Sequence, residues 1–115
     1  MKNKRSLGAK KESLVVEYLT GQGVKILDRN FYFKGGELDL IAQEEEYLCF
    51  IEVKYRTDDR YGLPEEAITP LKMTRMRNGA KQYLYVKHLP FDTPCRFDVI
   101  SVYGTEITWI KDAFW

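Results

Sequence analysis

Two mainly apolar runs, interrupted by Glu44–Glu46, fill the stretch from Gly36 to Lys54, and the rest of the chain is organised around it. The pattern predicts two strands, Glu37–Gln43 and Tyr47–Lys54, joined by an acidic turn at Glu44–Glu46. Successive strand side chains point to opposite faces. Alternation therefore groups Glu37, Asp39 and Ile41 on one face of the first strand, and Leu48, Phe50, Glu52 and Lys54 on one face of the second. A two- or four-residue loop centred on Glu45–Glu46 sets Asp39 opposite Glu52 and Glu37 opposite Lys54. Directly opposed Cβ atoms lie roughly 4.5–5.5 Å apart. A three-residue loop without a bulge would put the two carboxylates on opposite faces, because a slip of one residue flips a strand.

The flanking pattern supplies the other elements. Ser6 or a neighbour opens a helix to about Thr20, with Gly21 and Gly23 as stop signals. Val15, Val16 and Leu19 form its apolar stripe, flanked by Leu14 and Tyr18. Glu12 falls inside that stripe, whereas Glu17 lies on the far side with Lys10 and Ser13. Glu17 is thus expected in solvent. Glu12 either faces whatever the helix packs on or simply favours the helix N-terminal dipole. Val24–Phe33 reads as a strand, broken at Asp28-Arg29-Asn30 by a bulge or kink. Lys34-Gly35-Gly36 then turns the chain into the central hairpin, giving a three-strand antiparallel meander.

Beyond the hairpin, Tyr55–Pro64 reads as a loop carrying Arg56 and Arg60, followed by a short turn at Glu65–Ile68. Thr69-Pro70 is an N-cap and first-position proline pair that starts a helix to about Val86. Met73, Met76, Ala80, Tyr83 and Leu84 are its core stripe, and His88 is a surface residue at its end. After a linker at Pro90–Pro94, strands Arg96–Tyr103 and Glu106–Ala113 form a hairpin about Gly104-Thr105. That register pairs Asp98 with Lys111 as a structural salt bridge, so Asp98 is not assigned to catalysis. Strand, helix and strand in succession fit a right-handed crossover between parallel strands. The expected class is α/β or α+β layers with a mixed sheet.

Composition narrows the function classes. The 115 residues, 44% hydrophobic and 30% charged, fit one domain spanning 1–115. The chain lacks an apolar run of membrane-spanning length and an apolar secretory segment after Met1, so the cytoplasm is the expected compartment. Cys49 and Cys95, widely spaced, suit reduced thiols better than a disulfide or a zinc site. A single histidine argues against histidine-based zinc chemistry and a Ser-His-Asp triad. The net charge of +1 conceals segregation. Basic residues crowd the N-terminus (Lys2, Lys4, Arg5, Lys10, Lys11) and the second helix (Lys72, Arg75, Arg77, Lys81, Lys87). These are either ordinary solvated helix faces or patches that attract phosphates.

Two carboxylates held across a hairpin repel unless a cation or a proton intervenes. Oxygen-only ligands beside a basic surface suit Mg²⁺ or Mn²⁺, and magnesium takes one or two carboxylates with water and a substrate phosphate. Asp39 and Glu52 supply the carboxylates, and the Val53 carbonyl adds an oxygen. Lys54, on the face of Glu52, would orient the attacking water or offset charge on the phosphate. Glu12 would bind a second ion or hold the water. Lys10, Lys11, Arg56, Lys72 and Arg75 are the candidate nucleic-acid contacts. The plain alternative is an exposed strand face on which Glu52 and Lys54 pair with each other.

Gly36-Glu37-Leu38-Asp39-Leu40-Ile41-Ala42, followed by Phe50-Ile51-Glu52-Val53-Lys54-Tyr55-Arg56, resembles the signature of the YraN family. These are small bacterial proteins similar to Holliday-junction resolvases, within the PD-(D/E)XK superfamily. The resemblance extends through Gly8, Glu12, Tyr18-Leu19, Gly23, Asn30, Gly62, Pro64, Lys72, Ala80, Tyr83-Leu84, Arg96-Phe97-Asp98-Val99-Ile100 and Ala113-Phe114. It implies a restriction-endonuclease-like αβββαβ core with a mixed central sheet flanked by helices. It also implies Asp39 and Glu52 as metal-binding acids, Lys54 as the catalytic lysine and Glu12 as a helix-borne acid. Leu38 stands where the superfamily often has a proline. The expected function is a Mg²⁺-dependent nuclease acting on DNA, branched or damaged forms included, with a homodimer implied by the resolvase-like relatives. Two other classes compete: a nucleic-acid-binding module without turnover, and a protein-interaction domain with an incidental acidic face. Loss of cleavage in Asp39→Ala marks the first, salt-dependent binding insensitive to Asp39→Ala the second, and absence of both ion and DNA binding the third.

Overall fold

Tight turns at Lys34-Gly35 and Glu45-Glu46 leave the first three strands as antiparallel neighbours. The computed structural model describes residues 4–56 and 68–115, with side chains from residue 12 onward. Strands β1 (Lys25–Phe33), β2 (Gly36–Glu44) and β3 (Tyr47–Arg56) form the expected meander. Its turn is closed by Glu45 at φ 54° and by Gln43 Nε2, which donates to the Glu45 carbonyl at 2.7 Å. Helix α2 (Pro70–Val86) then carries the chain to β4 (Cys95–Tyr103), parallel to β3, and β5 (Glu106–Phe114) returns antiparallel. The result is a five-stranded mixed sheet in the order β1-β2-β3-β4-β5.

Two helices cover opposite faces of that sheet. Val15 and Leu19 of α1 (Lys4–Gly21) pack with Leu40, Ala42, Cys49, Ile51, Ile100 and Val102. Met76, Ala80, Tyr83 and Leu84 of α2 pack with Leu38, Ile41, Leu48, Phe50 and Val99. Each fully buried Leu, Ile or Phe contributes about 1.5–3 kcal/mol relative to exposure, so these two cores hold the layers together. This is the α+β, restriction-endonuclease-like arrangement that the sequence predicts, with β5 added at one edge.

Local chemistry sets the helix ends. Gly23 at φ 84° stops α1, and Val24 N–H donates to the Leu19 carbonyl at 3.0 Å. Thr69 caps α2, its Oγ1 accepting from Lys72 N–H at 3.2 Å, with Pro70 in the first turn. Exposed His88 sits past the C-terminal end at φ 57°. Helix α2 also approaches the sheet unusually closely at Gly79. A Cβ there would lie 2.6 Å from Phe33 Cε1 and 3.0 Å from Leu38 Cγ. Tyr83, donating from its hydroxyl to Asp28 Oδ2 at 2.8 Å, latches the far end of the helix onto the bulge of β1.

The expected Asp98–Lys111 salt bridge does not form. The β4–β5 ladder keeps the predicted register from Tyr103↔Glu106 to Val99↔Ile110, then shifts by a bulge before Phe97↔Phe114, with Asp112 at φ 53°. The bulge turns the Asp112 N–H onto Asp98 Oδ1 at 2.9 Å and leaves Lys111 to pair with Glu44 at 3.0 Å. Asp98 is fully buried and is answered by Arg96 through Nε and Nη2, both at 2.9 Å, and by Trp109 Nε1 at 2.9 Å. Arg96 reaches Glu44 as well, at 2.9 Å. Burial alone would lower the Arg96 pKa, but hydrogen bonds and charge from Asp98 raise it. Asp98 therefore remains structural, with a different partner.

Cys49 and Cys95 carry free thiols, and burial pushes Cys49 up to about 11. Among the described residues, no helix is long and apolar enough to cross a membrane. Helix α1 is already formed at Lys4, so Ser6 lies inside it and does not open it as expected. The expected turn at Glu65–Ile68, Arg60, Gly62 and Pro64 and the Lys10 and Lys11 side chains lie outside the described residues, apart from Ile68, which joins the α2-side core.

Candidate functional site

The β2–β3 ladder keeps the predicted register from Glu44↔Tyr47 to Leu40↔Ile51 and ends there. One step further, where Asp39 was expected opposite Glu52, the strands diverge. Val53 N–H has lost a backbone acceptor on that side, and Asp39 Oδ2 takes the place, at 2.9 Å. The simple alternation of Glu37, Asp39 and Ile41 on one face also fails. Leu38 and Ile41 both belong to the α2-side core, while Leu40 belongs to the α1-side core. The pleat is thus reset at Asp39. The neighbouring strand absorbs the same irregularity: Arg29↔Leu40 and Phe31↔Leu38 are paired, and between them Asn30 adopts φ 53°. A left-handed asparagine is one of the few non-glycine residues that accept this conformation cheaply.

On β3 the alternation is undisturbed, and Glu52 follows Leu48 and Phe50 onto the α2 side. Its side chain is only 7% exposed, and Lys72 Nζ lies 2.7 Å from its Oε1. Lys72 comes from the first turn of α2, next to the Thr69 cap. A cleft of about 250 Å³ opens here, lined by Gly36, Glu37, Asp39, Glu52, Lys72, Arg75 and Met76.

The electrostatics of the cleft are dominated by three carboxylates, Glu52 buried, Asp39 half-buried and Glu37 exposed. Burial raises Asp39 above the usual carboxylate range, against the pull of the Val53 hydrogen bond, Lys72 and Lys54. Burial and the charge of Asp39 raise Glu52, against the pull of Lys72 and Lys54. Glu37 is raised by burial, by Asp39 and by Glu12. Each carboxylate pays for desolvation and for its neighbours, so the site favours added positive charge. The donors are all oxygens, which suits a hard divalent ion such as Mg²⁺ or Mn²⁺. Among the described residues, no three Asp, Glu, His or Cys side chains close on a single metal position. The set present is the pair Asp39 and Glu52.

Of the residues expected at the site, Asp39, Glu52, Lys72 and Arg75 line one cleft. Lys54 is exposed but near enough to favour ionisation of both acids. Glu12 stands beside the cleft rather than in its wall. Its carboxylate is 3.9 Å from Arg29 Nη1, and its charge raises Asp39, Glu37 and Tyr55. Exposed Glu17 lies where expected. Arg56 is half-buried at the end of β3, paired with Tyr103 across the parallel ladder. Lys72 meets a carboxylate where the sequence reading gave it a phosphate. Glu37 was left out of the expected set, although its position two residues before Asp39 was a usable signal. Met76 read only as core and also forms cleft wall.

A family model described as "Uncharacterised protein family UPF0102" matches residues 11–102. A UPF0102 protein of Lachnoclostridium phytofermentans is 51% identical over 112 residues, covering 97% of this chain and 95% of that protein. Relatives from Shewanella oneidensis (39% over 109 residues; 95% and 99% covered) and Vibrio parahaemolyticus (39% over 113 residues; 96% and 93% covered) carry the same description. Similarity therefore runs across every element that builds the cleft.

Proposed function

The chain belongs to the UPF0102 (YraN) family, and from the cleft it carries we propose a metal-dependent nuclease that hydrolyses DNA phosphodiester bonds. The observation that carries this reading is the pair of half-buried Asp39 and buried Glu52, two carboxylates on diverging strands in one cleft, flanked by Lys54, Lys72 and Arg75. Asp39 and Glu52 would hold Mg²⁺ or Mn²⁺, with the Val53 carbonyl as a further oxygen. Such an ion, when bound, acidifies a water and stabilises the charge that develops on phosphorus. Asp39 is positioned for its part by the Val53 N–H, which fixes one carboxylate oxygen. Lys54 offsets charge on the attacked phosphate or orients the water. Arg75, exposed on the cleft wall, meets the nucleic-acid backbone. Glu12 tunes the site through its charge, which raises Asp39, and would hold the water in this reading.

Purified protein incubated with branched, single-stranded and duplex DNA plus Mg²⁺ or Mn²⁺ tests the proposal. Cleavage is expected on at least one form, and lost in Asp39→Ala and Lys54→Ala. Removing a charge-stabilising donor of this kind typically costs roughly 10²–10³-fold in rate. No cleavage of any substrate, or cleavage indifferent to both substitutions, would sink it.

The 2.7 Å contact between Lys72 and Glu52 favours one competing reading. A Glu52 already neutralised from within suits a nucleic-acid-binding domain without turnover. Its mark is DNA affinity that falls with salt and is insensitive to Asp39→Ala.

A further inference from the structure

A carboxylate as buried as that of Glu52 is costly to keep ionised without a partner. Its partner is Lys72, whose ammonium lies 2.7 Å from Oε1. The root of Lys72 is fixed, because its backbone N–H is held by the Thr69 cap at 3.2 Å. Its head is not fixed to the same degree: the side chain remains 36% exposed, and a lysine stem has four rotatable carbons. The cleft it reaches into is open, with apolar Met76 on the wall one turn along α2 and exposed Arg75 between them.

We propose that Lys72 is the site's built-in cation: it neutralises Glu52 in the metal-free protein, competes with the divalent ion for that carboxylate, and gives way when the ion binds. This deepens the metal-dependent reading above and rests on it. A magnesium ion approaches its oxygens to about 2.0–2.1 Å, and an ammonium bonded to the same carboxylate is then a like charge at close range. The displaced side chain, already 36% exposed, has the cleft mouth between Glu37 and Arg75 open to it. Ion binding thereby turns a self-neutralised pocket into one that offers Lys72 and Arg75 to a phosphate. The inferred order is ion first, nucleic acid second.

Calorimetric titration of the full chain with Mn²⁺, without nucleic acid, tests this on Lys72→Gln and Lys72→Arg. Loss of the competing charge should tighten Mn²⁺ binding by about tenfold in Lys72→Gln, the equivalent of about 1.4 kcal/mol. Lys72→Arg, which keeps the charge, should bind as the parent does. Thermal melts give a second readout. In chelator Lys72→Gln should melt below the parent, and the gap should close or reverse with saturating Mn²⁺, since a ligand stabilises according to its affinity. If the parent binds Mn²⁺ through Asp39 but Lys72→Gln binds no tighter and melts lower in both conditions, Lys72 is an ordinary structural partner. The inference then falls and the metal reading stands. If neither protein binds Mn²⁺, both fall together. If only Lys72→Gln binds, the competition is confirmed in its strongest form.

Discussion

At the scale of single residues, Asp39 does two jobs that pull in opposite directions. Its Oδ2 accepts the Val53 N–H and so repairs the end of a ladder, while its charge sits near Glu52 and Glu12. Asp39→Asn separates the two, because an amide oxygen keeps the acceptor and loses the charge. The sign of the pH dependence follows from the raised pKa values of Asp39 and Glu52. A group raised on folding contributes stability that is fully present below its unfolded pKa, about 4 for a carboxylate, and is lost as pH rises through the folded value. In chelator, Asp39→Asn should therefore gain on the parent as pH rises from about 4 to 8, read from urea midpoints. Mn²⁺ at the upper end of that range should restore the parent and not the variant. A constant gap across the range would mean that the carboxylate pair is not under strain. The sequence displayed the residue and its hairpin register but not this geometry. Nothing in the local alternation announces that Leu38 and Leu40 face opposite layers, because the reset depends on the left-handed turn of Asn30 in the neighbouring strand.

At the scale of elements, α2 decides which cations reach the acids. Its start was fully legible, since Thr69 and Pro70 are the cap and first-turn residues that the backbone requires. The three meander strands were legible as well, because the short turns permit no other pairing. What the sequence hid is how α2 sits against β1 and β2. That depends on Gly79, where the helix lies against Phe33 and the fully buried Leu38. The half-buried ring of Phe33 can yield, but Leu38 Cγ, 3.0 Å from the added methyl, has little room. Gly79→Ala gains up to about 1 kcal/mol of helix propensity and loses roughly 1–3 kcal/mol to overpacking. A net destabilisation of about 1 kcal/mol in urea unfolding is expected, together with weaker Mn²⁺ discrimination between the parent and Lys72→Gln, as α2 lifts from the sheet. A stabilised Gly79→Ala would show that the helix is free to shift without cost.

At the scale of the whole molecule, positive charge falls into two kinds that a count cannot separate. Arg96 is spent inside the protein on Asp98 and Glu44, and Lys111 is spent on Glu44 at the turn end of the central hairpin. Arg75 makes no ion pair with the described residues and faces the cleft from the opposite end of β2. The near-neutral total of the chain thus hides a basic wall over a pair of acids, and the wall exists only because α2 crosses from β3 to β4 above them. The sequence window from Lys72 to Lys87 showed the basic residues but could not say which of them would be used internally, because that is settled by side chains distant in sequence. Salt dependence of DNA binding measures the difference. With saturating Mn²⁺ and in a Lys54→Ala background, where no cleavage competes, each phosphate contact contributes a slope of about −0.9 in log K against log salt on duplex DNA. Arg75→Ala should reduce the slope by about that amount and weaken binding alike for unrelated sequences. Lys111→Ala should leave it unchanged. Equal slopes for the parent and Arg75→Ala, measured by fluorescence anisotropy across a salt series, would place the nucleic acid on some other surface and leave the cleft without its substrate.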